Sequence, residues 1–504
     1  MKRSSGILLP IASLPAPYGI GTLGKPAYDF LDFLAEAGQS WWQILPVGPT
    51  SYGDSPYQSP STYAGNPYFI DLDLLCAEGL LKKEEYENID WGDDPACVDY
   101  DKLYAGRYPV LQLAADRGWQ RDEGKIAAFM QQNQGWLPDY ALFMALKRYF
   151  GMKPWYEWED DIRLRRPEAI ARYTALLQSD IRLFVYIQYL FFGQWDRLRQ
   201  YAKSKGIGII GDLPIYVAMD SADVWSEPES FLLDDNHMPT EVAGVPPDYF
   251  NEDGQLWGNP LYNWDAMRQN GFGWWIRRID GARRLYDMLR IDHFRGLESF
   301  WAVPAGQKNA KIGRWVKGPG MDLLGVLTSW FWDVQFIAED LGLLTPDVHK
   351  LLHDSGLPGM KVLEFAFDSR ELSTYLPHGY QNNCICYAGT HDNAPLMAWK
   401  EEADPEDVAF AVKYLGLNEQ EGFHWGVIRG GLSSVADLFV AQMQDYLGLG
   451  REARINTPGV PMGNWRWRLQ KQQVPADLAH KICDLTYLYG RTEKKVPQRA
   501  EKKS

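Results

Sequence analysis

A chain of 504 residues, 46% hydrophobic and 23% charged, has room for one large domain with insertions or for two or three ordinary ones. Its 51 basic and 66 acidic side chains leave a net charge of −15, which argues against nucleic acid and anionic membrane as partners. The unusual figures are 21 Trp and 28 Tyr. Most such rings must be core, yet the excess favours a sugar-binding cleft over a nucleotide site, because flat amphipathic rings also stack on pyranose faces.

Gly6–Pro10 reads as a strand, and the helix expected over about Lys25 to Ala37 carries Tyr28, Leu31, Phe33 and Leu34 at roughly helical spacing. Trp41–Val47 is a second strand, so the chain starts β–α–β and predicts a parallel sheet. The loop from Gly48 to Asn66 is rich in Tyr, Ser, Pro and Gly, and a loop this long after a strand is usually functional.

Residues of about 72–180 form an insertion of mostly helical pattern (Leu103–Arg117, Ala141–Tyr149, Glu168–Leu177), after which a long helix over about 181–204 leads back to the strand Ile207–Leu213. A second insertion, about 217–270, is polar and rich in Pro, Gly and aromatics. Its stretch from Ala243 to Pro260 is expected to be neither helix nor interior strand, but a lid or rim carrying Tyr249, Phe250 and Trp257. A helix over about 272–287 precedes strands ending at Asp292 and Glu339. Lys361–Phe365, Cys384–Gly389 and Leu438–Gln444 complete eight, with a third, helical insertion at about 393–435. Eight strands alternating with helices predict a (β/α)8 TIM barrel. The basic stretch 491–504 is expected to be a solvated tail.

Three strand ends carry the chemistry. In Asp-Met-Leu-Arg-Ile-Asp-His-Phe (287–294), Arg290 and Asp292 share a face, and the guanidinium is expected to keep the carboxylate ionised, as a nucleophile needs. A second run ends in Glu339 and Asp340, a third in His391 and Asp392. Acids at the C-terminal ends of separate strands are how a TIM barrel builds its active-site face, and paired carboxylates are the machinery of glycosidic cleavage.

Other motifs fail. Gly19–Gly24 matches a dinucleotide fingerprint but lacks the acid about 20 residues on, and Gly206–Gly211 sits inside a strand. His349 and His353 have no Glu beside the first, so a zinc-protease helix is not supported, and neither metal nor cofactor is expected. Five cysteines, odd in number and without metal spacing, read as reduced thiols in a cytosolic protein.

Taken together, Gly19–Gly24, Tyr52–Gln58, Ala64–Pro67, Gly211–Tyr216, Pro246–Pro260, Arg290–Phe294, Ala338–Gly342, Thr390–Asn393 and Gly463–Arg466 resemble the amylomaltases. These are the disproportionating 4-α-glucanotransferases of the α-amylase-like superfamily, and the resemblance runs over nearly the whole chain. It implies a barrel with helical insertions and no C-terminal β domain, acting on maltooligosaccharides and starch- or glycogen-type α-1,4-glucans with glucose as an acceptor. The cytoplasm is the expected location, with the plastid stroma as the alternative if a transit peptide has been removed.

Carried onto these positions, the resemblance makes Asp292 the nucleophile, Glu339 the acid/base and Asp392 the carboxylate that holds the distorted sugar. Arg290 and His391 orient the nucleophile and bind that sugar. Ser55, Tyr57, Asp212, Tyr249, Phe250, Trp257, His293, Phe365 and Asn464 line the subsites. Tyr52 and Tyr100 resemble a second glucan site outside the cleft. A plain α-glucan hydrolase would use the same three acids, and a non-catalytic glucan-binding protein would have lost at least one.

Overall fold

Short, wholly buried, mostly apolar runs such as Met288–Ile291, Cys384–Tyr387 and Leu438–Gln442 are the mark of strands covered on both faces. The computed structural model describes residues 2–247, 251–342, 344–371, 373–460 and 462–495. Its strands are β1 (Ser4–Leu8), β2 (Trp41–Gln43), β3 (Gly208–Leu213), β4 (Glu241–Val245), β5 (Gln255–Pro260) and β6 (Met288–Ile291). There follow β7 (Ser299–Pro304), β8 (Arg314–Lys317), β9 (Gln335–Ala338), β10 (Gly359–Val362), β11 (Cys384–Tyr387) and β12 (Leu438–Gln442).

Eight of them close a parallel barrel in the order β1-β12-β11-β10-β9-β6-β3-β2. The expected (β/α)8 fold is the observed one. The pairing of Ser4 with Leu438 joins the first strand to the last. Gly211, inside β3, is explained by packing and not by phosphate. A Cβ there would lie 2.1 Å from the Tyr286 ring.

Helices shield the barrel. Lys25–Glu36 buries Ala27, Phe30, Leu31 and Leu34, so its inner face runs through Phe30, while Tyr28 and Phe33 are only partly buried. The region between β2 and β3 holds helices Tyr100–Arg121, Glu123–Gln132, Leu137–Tyr149 and Pro167–Leu176, then the 27-residue helix Gln178–Ser204. Two buried amides on that helix clamp the far end of the loop after β2. Gln188 bonds both the N–H and the carbonyl of Gly65 (2.7 and 2.9 Å), and Gln194 does the same for Asp71 (2.7 and 3.0 Å). Between β11 and β12 lie Leu396–Glu402, Pro405–Leu415 and Phe423–Ser433. Among the described residues, no helix is long and apolar enough to cross a membrane.

Two expectations are corrected here. The stretch from Ala243 to Pro260 does contain an interior strand, because β4 lies between β5 and β7 in an antiparallel sheet of order β5-β4-β7-β8. Its prolines are compatible with this: Pro246 directly follows β4, and Pro260 closes β5, an edge strand where a missing N–H costs little. The tail is not solvated from its first residue either. Arg491 is 2% exposed and donates to the carbonyls of Ser4, Leu432 and Ser434.

Candidate active site

The ends of β3, β6, β9 and β11 deliver side chains to one mouth of the barrel. Asp212 and Arg290 are register partners on β3 and β6, so their side chains meet across the ladder. Arg290 Nη1 donates to both Asp212 oxygens (2.8 and 2.7 Å) and to Asp292 Oδ1 (3.0 Å). Its Nη2 stands 4.0 Å from Glu339 Oε2. One buried guanidinium thus serves three carboxylates.

Backbone donors fix Glu339. After Asp292 the chain turns through His293 in the left-handed region (φ 49°), which aims the His293 N–H at Glu339 Oε2 (2.7 Å). The Leu341 N–H reaches Glu339 Oε1 (2.9 Å). A left-handed non-glycine residue is sterically costly, and here the strain buys a carboxyl held at a set angle.

The electrostatics correct the expectation for Asp292. Burial outweighs Arg290 and, with Asp212 and Asp392 nearby, pushes the Asp292 carboxyl up to about 7. Arg290 also bonds both oxygens of Asp212, so its charge is not reserved for Asp292. Burial likewise pushes Glu339 up to about 8, against Arg290 and the two backbone donors, with Asp292 adding to the rise. Of the two carboxyls, the geometry favours ionisation of Asp292, which Arg290 hydrogen-bonds directly at 3.0 Å while its approach to Glu339 is 4.0 Å. Burial pulls His293 down to about 3 and His391 below its ordinary value, so both rings are neutral.

A second wall faces this pair. Tyr57 OH donates to Asp212 Oδ2 (2.7 Å) and lies 2.9 Å from His391 Nε2, with the two rings stacked at 5.4 Å. The hydroxyl has one proton, so Nε2 is the donor and Nδ1 the acceptor. His391 Nδ1 is buried without a hydrogen-bond partner among the described residues. Ser55 Oγ accepts from the Tyr57 N–H (3.2 Å), and the Trp465 ring tilts against Tyr57 and His391. The Asp392 side chain is 42% exposed, with Oδ2 3.3 Å from His391 Nε2 and Oδ1 accepting from Asn456 Nδ2 (2.6 Å).

Sequence reasoning did not single out Arg454, Asn456 or Trp465. The first two lie in a loop after β12 with no motif of their own. Trp465 lies in Gly463–Arg466, where nothing local marks its ring as a neighbour of Tyr57 and His391.

The remaining expected residues divide. The Trp257 ring meets His293 edge-on at 4.8 Å, beside the cluster. Phe365, on the turn after β10, is 45% exposed and meets the Tyr375 ring edge-on at 5.9 Å. The Asn464 amide is engaged with its own loop, bonding the Thr457 N–H (2.9 Å) and the Val460 carbonyl (2.8 Å). Tyr100 is 6% exposed and donates to the Trp465 carbonyl (2.8 Å), so its ring is packed inside and not offered to a glucan as had been expected. Tyr52 opens the short turn Tyr52–Asp54. Tyr249 and Phe250 lie outside the described residues.

A family model described as 4-alpha-glucanotransferase matches residues 9–473. A 4-alpha-glucanotransferase of Clostridium butyricum is 48% identical over 96% of this chain and 100% of that one. One from Thermus thermophilus is 48% identical over 93% of this chain and 95% of its own length. The solved amylomaltase from Streptococcus agalactiae in complex with acarbose aligns with a TM-score of 0.95 at 43% identity, covering 97% of this chain and 100% of that chain.

Proposed function

Since the chain belongs to the 4-alpha-glucanotransferase family and transfers α-1,4-glucan segments, we propose that Asp292, Glu339 and Asp392 carry that transfer as a retaining double displacement. Asp292, ionised, attacks the anomeric carbon of the donor while Glu339 gives its proton to the departing glycosidic oxygen. The reducing-end portion leaves, and the rest of the glucan stays as a β-linked ester on Asp292. The 4-hydroxyl of an acceptor, a maltooligosaccharide or glucose, then loses its proton to Glu339 and attacks the same carbon, expelling Asp292. Two inversions restore the α configuration.

Asp392 and His391 hold the hydroxyls of the distorted ring between these steps. Arg290, Asp212 and Tyr57 orient the nucleophile from behind. Trp257, His293 and Phe365 are proposed sugar platforms, with Ser55 and Asn464 shaping the loops around them.

The observation that carries this reading is the Arg290 contact with Asp292 at 3.0 Å and its longer approach to Glu339 at 4.0 Å. That asymmetry separates a carboxyl that ionises first from one that keeps its proton. Incubation with maltotriose, with products separated by size, tests the outcome. A ladder of longer oligomers plus glucose is expected. Glucose and maltose alone would mean that water, not sugar, meets the intermediate.

A further inference from the structure

The segment Arg454–Thr457 follows the last barrel strand and crosses back to the end of β11. Arg454 Nη2 donates to the Asp392 main-chain carbonyl (3.0 Å), and Asn456 Nδ2 donates to Asp392 Oδ1 (2.6 Å). The Ile455 carbonyl between them accepts from the Trp465 N–H (2.8 Å), whose ring lies against Tyr57 and His391. Arg454 Nε closes the segment on itself through the Asn456 carbonyl (2.8 Å), and Glu402 stands 4.0 Å from Arg454 Nη1. Apart from this segment, the polar side chain in reach of the Asp392 carboxylate among the described residues is His391 at 3.3 Å.

We infer that Asn456 is a positioning residue for transfer: it holds Asp392 Oδ1 so that Oδ2 stays beside His391 for the sugar. The inference rests on Asp392 binding the distorted sugar, as proposed above. An aspartate is short and turns about two bonds, and this one is open to the cleft, so an unheld carboxylate would sample poses that miss the sugar hydroxyls. A neutral amide suits the task better than a cation. It donates a short charge-assisted bond, yet leaves the carboxylate its full charge and adds none of its own to the Asp292–Arg290 cluster. Arg454 complements it by fixing the backbone from which Asp392 projects.

The test is a double-mutant cycle of Asn456→Leu, which keeps the volume and removes the donor, with Asp392→Asn. Turnover is read with maltotriose and, for the weaker variants, with an α-glucosyl fluoride donor. Asn456→Leu in the parent enzyme is expected to lower kcat about ten- to hundredfold, the worth of a hydrogen bond to a charged group, with KM within about twofold. In the Asp392→Asn background the same substitution is expected to cost nothing further.

An unchanged kcat in Asn456→Leu, beside a crippled Asp392→Asn, overturns the positioning role alone. So does an equal loss in both backgrounds, which would place the effect elsewhere. A fully active Asp392→Asn overturns the reading of Asp392 and the inference with it. Should Asn456→Leu fail to fold, Asn456→Ala is read in its place by the same criteria.

Discussion

At the scale of single residues, the proposed chemistry turns on Asp292 and Glu339, two carboxyls whose proton affinity is raised chiefly by desolvation. Under the proposed double displacement, activity needs Asp292 without its proton and Glu339 with it. Accordingly, kcat/KM should rise toward a limb near 7, where burial has pushed Asp292, and fall beyond one near 8, where it has pushed Glu339. Glu339→Gln should abolish turnover of maltooligosaccharides, which need a proton on the leaving oxygen. An α-glucosyl fluoride does not, so it should still label Asp292, and the adduct should accumulate without a base to activate the acceptor. Mass spectrometry of the quenched protein checks this, and a label on any other residue refutes the pair of roles.

The same substitution has a stability signature. Glu339 binds its proton more tightly folded than unfolded, so its contribution to stability is full at low pH and is lost as pH rises from about 4.5 through about 8. Glu339→Gln should therefore melt higher than the parent at pH 9, while the difference shrinks at pH 4.

At the scale of elements, the strand pair β4–β5 is expected to decide whether water or sugar meets the proposed glucosyl-enzyme. Trp257 on β5 sets its ring against His293, whose backbone holds Glu339, so the small antiparallel sheet touches the catalytic turn directly. If that sheet shelters the intermediate, Trp257→Ala lowers transfer and raises the ratio of hydrolysis to transfer, because water arrives more often. If Trp257 only packs, the variant loses thermal stability and the ratio stays put. Reducing ends released per transfer event separate the two outcomes, and the sheltering role is the expected one.

At the scale of the whole molecule, the barrel must close between its first and last strands, and the end opposite the site carries the fastening. Arg491 Nη1 donates to the Ser4 carbonyl (2.8 Å), Nε to Leu432 (2.8 Å) and Nη2 to Ser434 (3.1 Å). Arg3 reaches the Leu432 and Ser434 carbonyls as well. Burial pulls the Arg491 guanidinium down to about 10, which still leaves it charged at neutral pH. Arg491→Met fills similar space but strands those buried carbonyls, at a cost of about 3 kcal/mol. A clear fall in Tm with kcat and KM retained is expected. Lost activity at a temperature where the variant is still folded would contradict this division between fastening and site.

The amino-acid sequence alone determined the eight barrel strands, because each is a short apolar run bounded by turn residues, and such signals are local. It also placed Asp292, Glu339 and Asp392, because each stands at the end of its own run. Tertiary structure decided what those residues meet. Tyr57 bonds Asp212 from 155 residues away and His391 from 334, and Asn456 reaches Asp392 across 64. No periodicity records such pairings. The interior place of β4 was hidden for the same reason: glycines and prolines that read as loop are compatible with a strand once partners on both sides take its hydrogen bonds. The proton affinity of Asp292 was misjudged because the neighbour legible in the sequence, Arg290, is shared with Asp212, and because burial is a property of the assembled barrel and not of the run that carries the residue.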